Sequence, residues 1–502
     1  MKFTTATVAA FAGLAAAAKD TTNWGVLRFN GKEIIKGRID PIVAPGKVAE
    51  HVHAVMGGSA FTKDSTGESQ AQSKCTNARV LEDRSAYWFP ALYFQDPATK
   101  AFEPVDIHYV NVYYFFDATN DEMKAFPKGL QLVAGDATKR TAPSSGGRLI
   151  TTSNSDFGEP QPVQWTCPRD GNNFDNPPSW PTDSDGSTSG IRDPNNKGTG
   201  AGFPDVTCDG FASPLRADVH MPSCYNPEAG LTNYKSNSAY PKAVSGGKFD
   251  CPEGWIHVPH MFYEVYWDTP KFKGRWTENQ GTQPFVLSNG DVTGFASHAD
   301  FLAAWDEDAL QNLIDNCDAR HSGLHTCAGV TDNNQNDCKA ENQNQVDEII
   351  SGVLSKLPGD RPLEGWTYGV NTKPTTDVEE EVKPEPEVKP TTSSAQYQAP
   401  VQTTPAESTT AQPTPTPAEV VVEQVEAQEE HDDVYDTPAP APTPTPASPP
   451  AGKPPGNPRV KTVWETVTVT ATETADYGYA TPDVKAVRRH VHNHVRHRRS
   501  HF

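Results

Sequence analysis

Short segments in which apolar and polar residues alternate recur through the first two thirds of the chain. They read WGVLRF, DIHYVNVYYFF, GLQLVAG, HMFYEVYW and QPFVLSNGD, and most of them are bounded by Gly, Pro, Asn or Asp. A period of two in residues that are often β-branched or aromatic is typical of half-buried β-strands, and the bounding residues favour turns. The pattern therefore predicts a β-rich fold.

Two further segments have the apolar spacing of an amphipathic helix. In FLAAWDEDALQNLIDNC the apolar residues fall near one face, and Asp300 is placed to cap the start of the helix. A similar pattern, VDEIISGVLSKL, precedes LPGDRP. The predicted fold class is α+β and β-rich, with sandwich-like or jelly-roll-like sheets and peripheral helices in a single large domain.

The cysteines add covalent constraints to this domain. The chain has eight of them, at positions 75, 167, 208, 224, 251, 317, 327 and 338, and no two form a CxxC pair. The even number predicts four disulfides in an oxidising compartment, and the lack of CxxC argues against a zinc ribbon or a thioredoxin-like redox centre. Eight cysteines allow 105 pairings, so the sequence does not determine which cysteines are joined.

Composition divides the chain into four segments. Residues 1–18, MKFTTATVAAFAGLAAAA, have the early lysine, short apolar run and small-residue end of a signal peptide. Residues 19–372 form the predicted globular domain. Residues 373–460 are rich in Pro, Thr and Glu, which predicts a disordered stalk similar to O-glycosylated stalks of secreted proteins. Residues 461–502 contain a Thr/Val segment and a basic, His-rich tail.

Charge and hydropathy limit the partners of the protein. The formal net charge is −21, which is unfavourable for nucleic-acid binding. Beyond the first residues no apolar run approaches the roughly 20 residues that span a bilayer. These features predict a secreted protein, extracellular or associated with a cell wall, with no membrane span and no nucleic-acid partner.

Several long motifs also resemble a known family. They are RIDPIVAPGKVAEHVHAVMGGSAF, SAYWFPALYF, NVYYFFDATNDEMKAFPKGLQLVAGD, DVHMPSC and SNGDVTGFASHADFLAAWDEDALQNLIDNC, in this order along the chain. Together they resemble the secreted fungal proteins of the domain-of-unknown-function family DUF1996. The resemblance covers roughly residues 24–365 and implies a fungal extracellular protein with one large domain. It implies no mechanism, since the family is named for lacking one.

The stretch VAEHVHAVMGGS contains the first candidate for chemistry. In a strand, His51 and His53 project from the same face, so that both imidazoles can reach one ion. They can combine with His220 and with His298 or Asp300 in a site of three or four ligands. Imidazole and carboxylate ligands suit Zn, Cu, Mn or Fe. The cofactor that this hypothesis predicts is a divalent metal ion.

A second hypothesis is acid–base chemistry on a polysaccharide, with His53, Asp218, His220 and Asp300 as the catalytic residues. A glycoside hydrolase needs two carboxyl groups that flank the scissile bond, whereas a lyase needs a His or Tyr base near an arginine. Aromatic residues able to stack on sugar rings are Trp88, Tyr93, Tyr113, Tyr114, Trp255 and Trp267. Aromatic residues in strands also serve as core.

Two functions follow from these alternatives. In the first, a secreted fungal protein acts on or binds cell-wall or environmental polysaccharide through a His/Asp cluster, as a hydrolase or lyase that is metal-dependent or metal-free. In the second, it is a non-catalytic metal-binding or structural cell-wall protein. The two differ in whether His51, His53, Asp218, His220 and the HAD motif at 298–300 converge on one cleft.

Overall fold

The computed structural model describes residues 19–169, 178–210, 213–366 and 368. The predicted signal peptide, stalk and C-terminal tail lie outside these residues. No helix in the described part of the chain has the length and apolar character needed to cross a membrane.

The described part is built mainly of short strands. They are β1 (Asn23–Arg28), β2 (Ile35–Gly37), β3 (His53–Gly57), β4 (Ala86–Pro90), β5 (Leu92–Gln95), β6 (Phe102–Pro104), β7 (Ile107–Phe116), β8 (Gln131–Gly135), β9 (Val163–Thr166), β10 (Ile191–Arg192), β11 (Thr199–Ala201), β12 (Asp209–Gly210), β13 (Ser213–Pro214), β14 (Arg216–His220), β15 (Cys224–Tyr225), β16 (Ser238–Ala239), β17 (Lys242–Val244), β18 (Lys248–Asp250), β19 (Ile256–His257), β20 (His260–Trp267), β21 (Phe285–Leu287) and β22 (His298–Leu302). The α-helices are α1 (Gly67–Ala71) and α2 (Glu307–Asn316). Short 3-10 turns lie at Pro227–Ala229, Ser245–Gly247, Thr269–Phe272, Leu324–Thr326 and Pro358–Asp360.

Two antiparallel sheets form the main part of the fold. One has seven strands in the order β1-β7-β20-β14-β9-β11-β10, and the other has five in the order β2-β3-β4-β22-β8. Three-stranded sheets, β21-β5-β6 and β16-β15-β19, and the hairpins β12-β13 and β17-β18 complete it. The prediction of a β-rich α+β domain with sandwich-like sheets is confirmed.

Alternation along β7 explains how the two large sheets meet. Val110, Val112, Tyr114 and Phe116 are buried, whereas the residues between them are partly exposed. The buried face belongs to the same core cluster as Tyr87 and Phe89 of β4 and Phe301 of β22. Every second side chain of β7 therefore lies in one layer between the sheets. The opposite face of the seven-stranded sheet is partly exposed at β7 and buried at Asp218 and Glu264.

The five-stranded sheet is buried on its other face as well. There Val55 and Trp88 belong to a second apolar cluster with Ile34, Ile39 and Cys338. Burial on both faces explains why β3, β4 and β22 consist entirely of buried residues and show no alternation in their sequences. Of the aromatic residues predicted to meet sugars, Trp88, Tyr93, Tyr114 and Trp267 are core residues, whereas Tyr113 and Trp255 are partly exposed.

Four disulfides staple the domain, as predicted from the even number of cysteines. They join Cys75 to Cys338, Cys167 to Cys208, Cys224 to Cys251 and Cys317 to Cys327. The first closes 263 residues of chain and ties the segment after α2 onto the second apolar cluster.

The helix predictions need correction. The residues FLAAW do not begin a helix, because Phe301 and Leu302 end strand β22 and α2 starts only at Glu307, capped by Asp306. Asp300 lies in β22 and is not a helix cap. VDEIISGVLSKL contains no helix. Val346 packs on the second cluster and Ile350 and Leu354 pack near Tyr93, whereas Ile349 and Val353 are exposed.

Candidate metal centre

Strand register brings two distant histidines together. His53 opens β3 opposite Pro90 of β4, and Asp300 of β22 lies opposite Trp88 of the same strand. Because the pairing is antiparallel, His298, two residues before Asp300, falls at the level of Pro90. His53 and His298 thus flank Pro90 on the face of the five-stranded sheet that carries Trp88 and the second apolar cluster.

His51 completes the cluster from the residues just before β3. Its Nε2 atom lies 3.1 Å from Nε2 of His298, and its ring centroid is 4.2 Å from that of His53. One ring nitrogen from each of the three histidines lies within 4.8 Å of the others. The exposed fractions are 8% for His51, 0% for His53 and 4% for His298, so the cluster is closed to bulk solvent.

Backbone carbonyls determine which ring nitrogens carry hydrogen. Nδ1 of His53 lies 3.1 Å from the carbonyl oxygen of Ile39, and Nδ1 of His298 lies 2.9 Å from that of Ala296. A carbonyl oxygen only accepts, so each Nδ1 donates and each Nε2 is left with its lone pair. Nε2 of His53 is buried and has no hydrogen-bond partner. A carbonyl on one ring nitrogen and a free lone pair on the other is the usual arrangement of a metal-binding histidine.

The protonation of the cluster fits the same role. Burial lowers the pKa of His53 to about 3. Burial, followed by the proximity of His53, lowers the pKa of His298 to about 4. The pKa of His51 falls well below its usual range, first through burial and then through the other two histidines. All three imidazoles are neutral near pH 7, as metal ligation requires.

Spacing also agrees with a shared ion. Nitrogen ligands at about 2.0–2.1 Å from a metal lie roughly 2.9–3.4 Å apart when the angle between them is octahedral or tetrahedral. The 3.1 Å between the Nε2 atoms of His51 and His298 falls in this range; without an ion it is a hydrogen bond that Nε2–H of His51 donates to His298. Metal binding would need that hydrogen on Nδ1 of His51, so the evidence for a transition-metal ion is the spacing of this pair, the tautomers of His53 and His298 and the neutral charge of the cluster.

Two carboxyl groups lie beside the histidines. Asp40 accepts the backbone N–H groups of Ile42 and Val43 at 2.9 Å, and burial raises its pKa against these hydrogen bonds. Asp300 shares the His298 side of β22, and burial together with the charge of Asp40 raises its pKa well above the usual range. Its Oδ2 atom is buried without a partner. Burial and Asp40 thus favour the protonated form of Asp300.

Asp218 and His220 do not join this cluster. They lie on β14 of the seven-stranded sheet and point away from its core face, which Ala217 and Val219 occupy. Asp218 accepts hydrogen bonds from Arg216 at 2.5 Å and from Thr166, and burial outweighs the arginine and raises its pKa to about 6.

His220 lies on the same outer face, where its Nδ1 is 3.0 Å from Nε2 of His260. The structure therefore separates the predicted residues into two groups. His51, His53, His298 and Asp300 form one, whereas Asp218 and His220 belong to the other sheet.

One other group in the described part of the chain has metal-like spacing, namely Asp121, Cys251 and His257. Its sulfur atom is bonded to Cys224 and is no thiolate ligand. His257 is a packed, fully buried residue, near Thr119 and Asp121. The three-histidine cluster is the stronger candidate.

These observations define a disulfide-stapled β-sandwich protein with a buried three-histidine cluster. The chain matches the family described as domain of unknown function (DUF1996) over residues 40–305, and it belongs to that family. The matched region runs from Asp40 through β22 and contains all three histidines. No curated protein and no solved structure matches the chain.

Proposed function

We propose that this protein binds one divalent transition-metal ion, Zn²⁺ or Cu²⁺, through His51, His53 and His298. The observation that carries the proposal is the buried Nε2 atom of His53, which has a lone pair and no partner. An unpaired polar atom in the interior costs free energy, and a metal ion shared with the two neighbouring histidines would satisfy it.

The proposed setting is extracellular. Four disulfides suit an oxidising compartment, and the first 18 residues have the pattern of a signal peptide. We further propose that the protein is fungal and located at a cell wall. Its domain at 19–372 would be joined through the stalk at 373–460 to the basic tail. Direct analysis of the secreted chain would test these boundaries.

Burial favours a non-catalytic role for the metal centre. The three histidines have at most 8% of their surface exposed, so a polysaccharide chain has no access to them in this conformation. Hydrolysis or elimination through His53, Asp218, His220 and Asp300 would require these residues at one cleft, and they lie on two sheets. We therefore propose polysaccharide as a ligand of the protein, and not as a substrate at the histidine cluster.

Elemental analysis tests the metal proposal. The secreted full-length chain is incubated with Zn²⁺ or Cu²⁺, dialysed and measured by mass spectrometry, with an expected content of about one ion per chain. His53→Gln and His298→Gln should each reduce the retained metal to near background, because each removes one Nε2 ligand and leaves a neutral side chain.

A matched control is His325→Gln. His325 is partly buried and, like His53, has a ring nitrogen without a partner, but it lies outside the cluster. Its variant should retain the metal content of the wild type. Wild type that takes up neither ion, or equal retention in His53→Gln, would refute the proposal. Circular dichroism of each variant separates loss of a ligand from loss of the fold.

A further inference from the structure

A pocket of about 190 Å³ opens where the outer face of the seven-stranded sheet meets the β17–β18 hairpin. One part of its lining is apolar or aromatic, and the other part is polar. The apolar residues are Phe115, Met221, Tyr240, Pro241 and Phe249, and the polar residues are Asp117, Thr151, His220, Ser223 and His260. None of these residues belongs to the metal centre.

Three of the polar residues, Asp117, His260 and His220, lie next to one another in the pocket lining. Oδ2 of Asp117 lies 3.7 Å from Nδ1 of His260, and Nε2 of His260 lies 3.0 Å from Nδ1 of His220. One of these two ring nitrogens donates to the other, and the distance from Asp117 to His260 is too long for a hydrogen bond. Nε2 of His220 takes no part in the contact between the two rings and is the nitrogen that can meet a ligand.

Ser223 provides an independent sign of a ligand. Ser223 lines the pocket and is 1% exposed, and its Oγ atom is buried with no hydrogen-bond partner. A buried hydroxyl is normally paired, and an unpaired one at a ligand site is explained by a group that the ligand supplies. The polar part of the lining thus combines a hydroxyl without a partner, two imidazoles and a carboxyl group.

The ligand class follows from this two-sided lining. A pyranose ring has hydroxyl groups around its edge and C–H groups on its faces, so it can bond to the polar side and stack on aromatic rings. Phe115, Tyr240 and Phe249 are partly exposed and supply such rings. Asp117 disfavours an anionic ligand, because two negative charges would approach each other at low exposure.

Aromatic residues continue from the pocket along the outer face of the seven-stranded sheet. Phe115 lies 5.3 Å from His260, and Trp24 lies 6.1 Å from Phe115 and 5.7 Å from Tyr113, measured between ring centroids. All three aromatic residues are partly exposed. A ligand longer than one ring would therefore meet further stacking surface beyond the pocket.

We propose that this pocket binds one sugar ring of a neutral glycan, held by Ser223, His220 and Asp117 and stacked on Phe115 and Phe249. The proposal gives a place to the polysaccharide ligand proposed above, on which it rests, and it is independent of the metal. Its failure and that of the metal centre are distinguishable, because glycan binding is measured with EDTA present.

The test is isothermal titration calorimetry of the full chain with cellohexaose, laminarihexaose and chitohexaose. At least one of these neutral hexasaccharides should bind, and a hyaluronan hexasaccharide, which carries carboxylates, should bind more weakly. Ser223→Ala should weaken binding by about three- to tenfold, the effect of one hydrogen bond. Phe249→Ala should weaken it by roughly tenfold or more through lost stacking.

Ser322→Ala is the matched control, because Ser322 is an exposed serine outside the pocket lining. It should bind as the wild type does. Ser223→Ala should fold normally, since its hydroxyl has no partner within the protein. Wild type that binds none of the three neutral sugars overturns the proposal, as does binding that neither Ser223→Ala nor Phe249→Ala weakens. Stronger binding of hyaluronan than of the neutral sugars overturns the ligand class.

Discussion

The carbonyl oxygens of Ile39 and Ala296 set the tautomers of His53 and His298, because each accepts a hydrogen bond from an Nδ1–H group. The His-x-His spacing was visible in the sequence and correctly placed His51 and His53 together. The carbonyls had no sequence signal, because every residue has one and only the fold decides where it points. The sequence therefore predicts which histidines are candidate ligands, but it does not predict their tautomers or their burial.

The depressed histidine pKa values predict how stability responds to pH. The pKa of His53 is about 3 in the fold and near 6.5 in the unfolded chain, so between these values the unfolded state binds more protons. This contribution to stability is complete above pH 6.5 and is lost as the pH falls towards 3. In His53→Gln, urea unfolding in EDTA should show a slope against pH that is smaller by up to roughly 1.4 kcal/mol per pH unit.

Other buried groups respond in the opposite direction. Burial raises the pKa of Asp83 and of Asp218 to about 6, so their contribution is complete below pH 3.8 and is lost as the pH rises through 6. These groups are present in both proteins and cancel when wild type and His53→Gln are compared at pH 4.5, 5.5 and 6.5. Equal slopes in the two proteins would contradict the burial of a neutral His53.

Asp300→Asn tests whether the neighbouring carboxyl is a neutral acid or a metal ligand. The raised pKa of Asp300 means that its contribution to stability is present at low pH and is lost as the pH rises towards its folded-state value. The amide is isosteric and does not titrate, so the stability of the variant relative to the wild type should rise as the pH rises from 3.8 towards the folded-state pKa of Asp300. Its metal content should be unchanged.

The measurements for Asp300→Asn are urea unfolding at pH 6, 7 and 8 and elemental analysis of the dialysed protein. Asp300→Ala, which leaves a cavity, provides the comparison for lost packing. A drop in metal affinity of about tenfold or more in the asparagine variant would show that the carboxylate itself binds the ion, with its proton displaced by the metal.

At the scale of elements, alternation predicted β1, β7, β8, β20 and β21 correctly because each has residues that differ between its two faces or clear turn residues at its ends. Strand β22 is buried on both faces, so its last residues, Phe301 and Leu302, show no period of two, and with Ala303, Ala304 and Trp305 they form an apolar run that wrongly predicted the start of a helix capped by Asp300. α2 is real but shorter than predicted, and its start depends on Asp306, whose side chain accepts from the N–H of Ala309 at 3.0 Å.

Asp306→Ala should therefore destabilise the protein by about 1 kcal/mol, the typical loss of an N-cap side chain. Leu310, Leu313 and Ile314 of α2 pack into the core between the two large sheets, so fraying of the first turn of α2 weakens this packing. Urea unfolding at pH 7 measures the change. Asp306→Asn keeps an oxygen that can accept the Ala309 hydrogen and should remain within a few tenths of a kcal/mol of wild type; an equal loss in both variants would contradict the capping role.

At the scale of the whole molecule, the sequence predicted a β-rich sandwich and four disulfides, but not which segments meet. His53 and His298 are neighbours only because β4 lies between β3 and β22 in the sheet. Asp218 and His220 were grouped with them by residue type, yet the strand that carries them belongs to the other sheet. Convergence over such sequence distances depends on strand order, which no local pattern contains.

The longest disulfide provides a prediction at this scale. Cys75–Cys338 closes 263 residues, whereas Cys317–Cys327 closes 10. Loop-closure entropy gives a loss on the order of 5 kcal/mol for the first and about 3 kcal/mol for the second, so Cys75→Ser/Cys338→Ser should unfold at clearly lower urea concentration than Cys317→Ser/Cys327→Ser. Cys338 packs in the same cluster as Ile39, whose carbonyl orients His53. We therefore expect Cys75→Ser/Cys338→Ser, and not Cys317→Ser/Cys327→Ser, also to lower metal retention in native conditions. If Cys317→Ser/Cys327→Ser were the less stable variant, or the one that loses more metal, the proposed link between the Cys75–Cys338 disulfide and the histidine cluster would be contradicted.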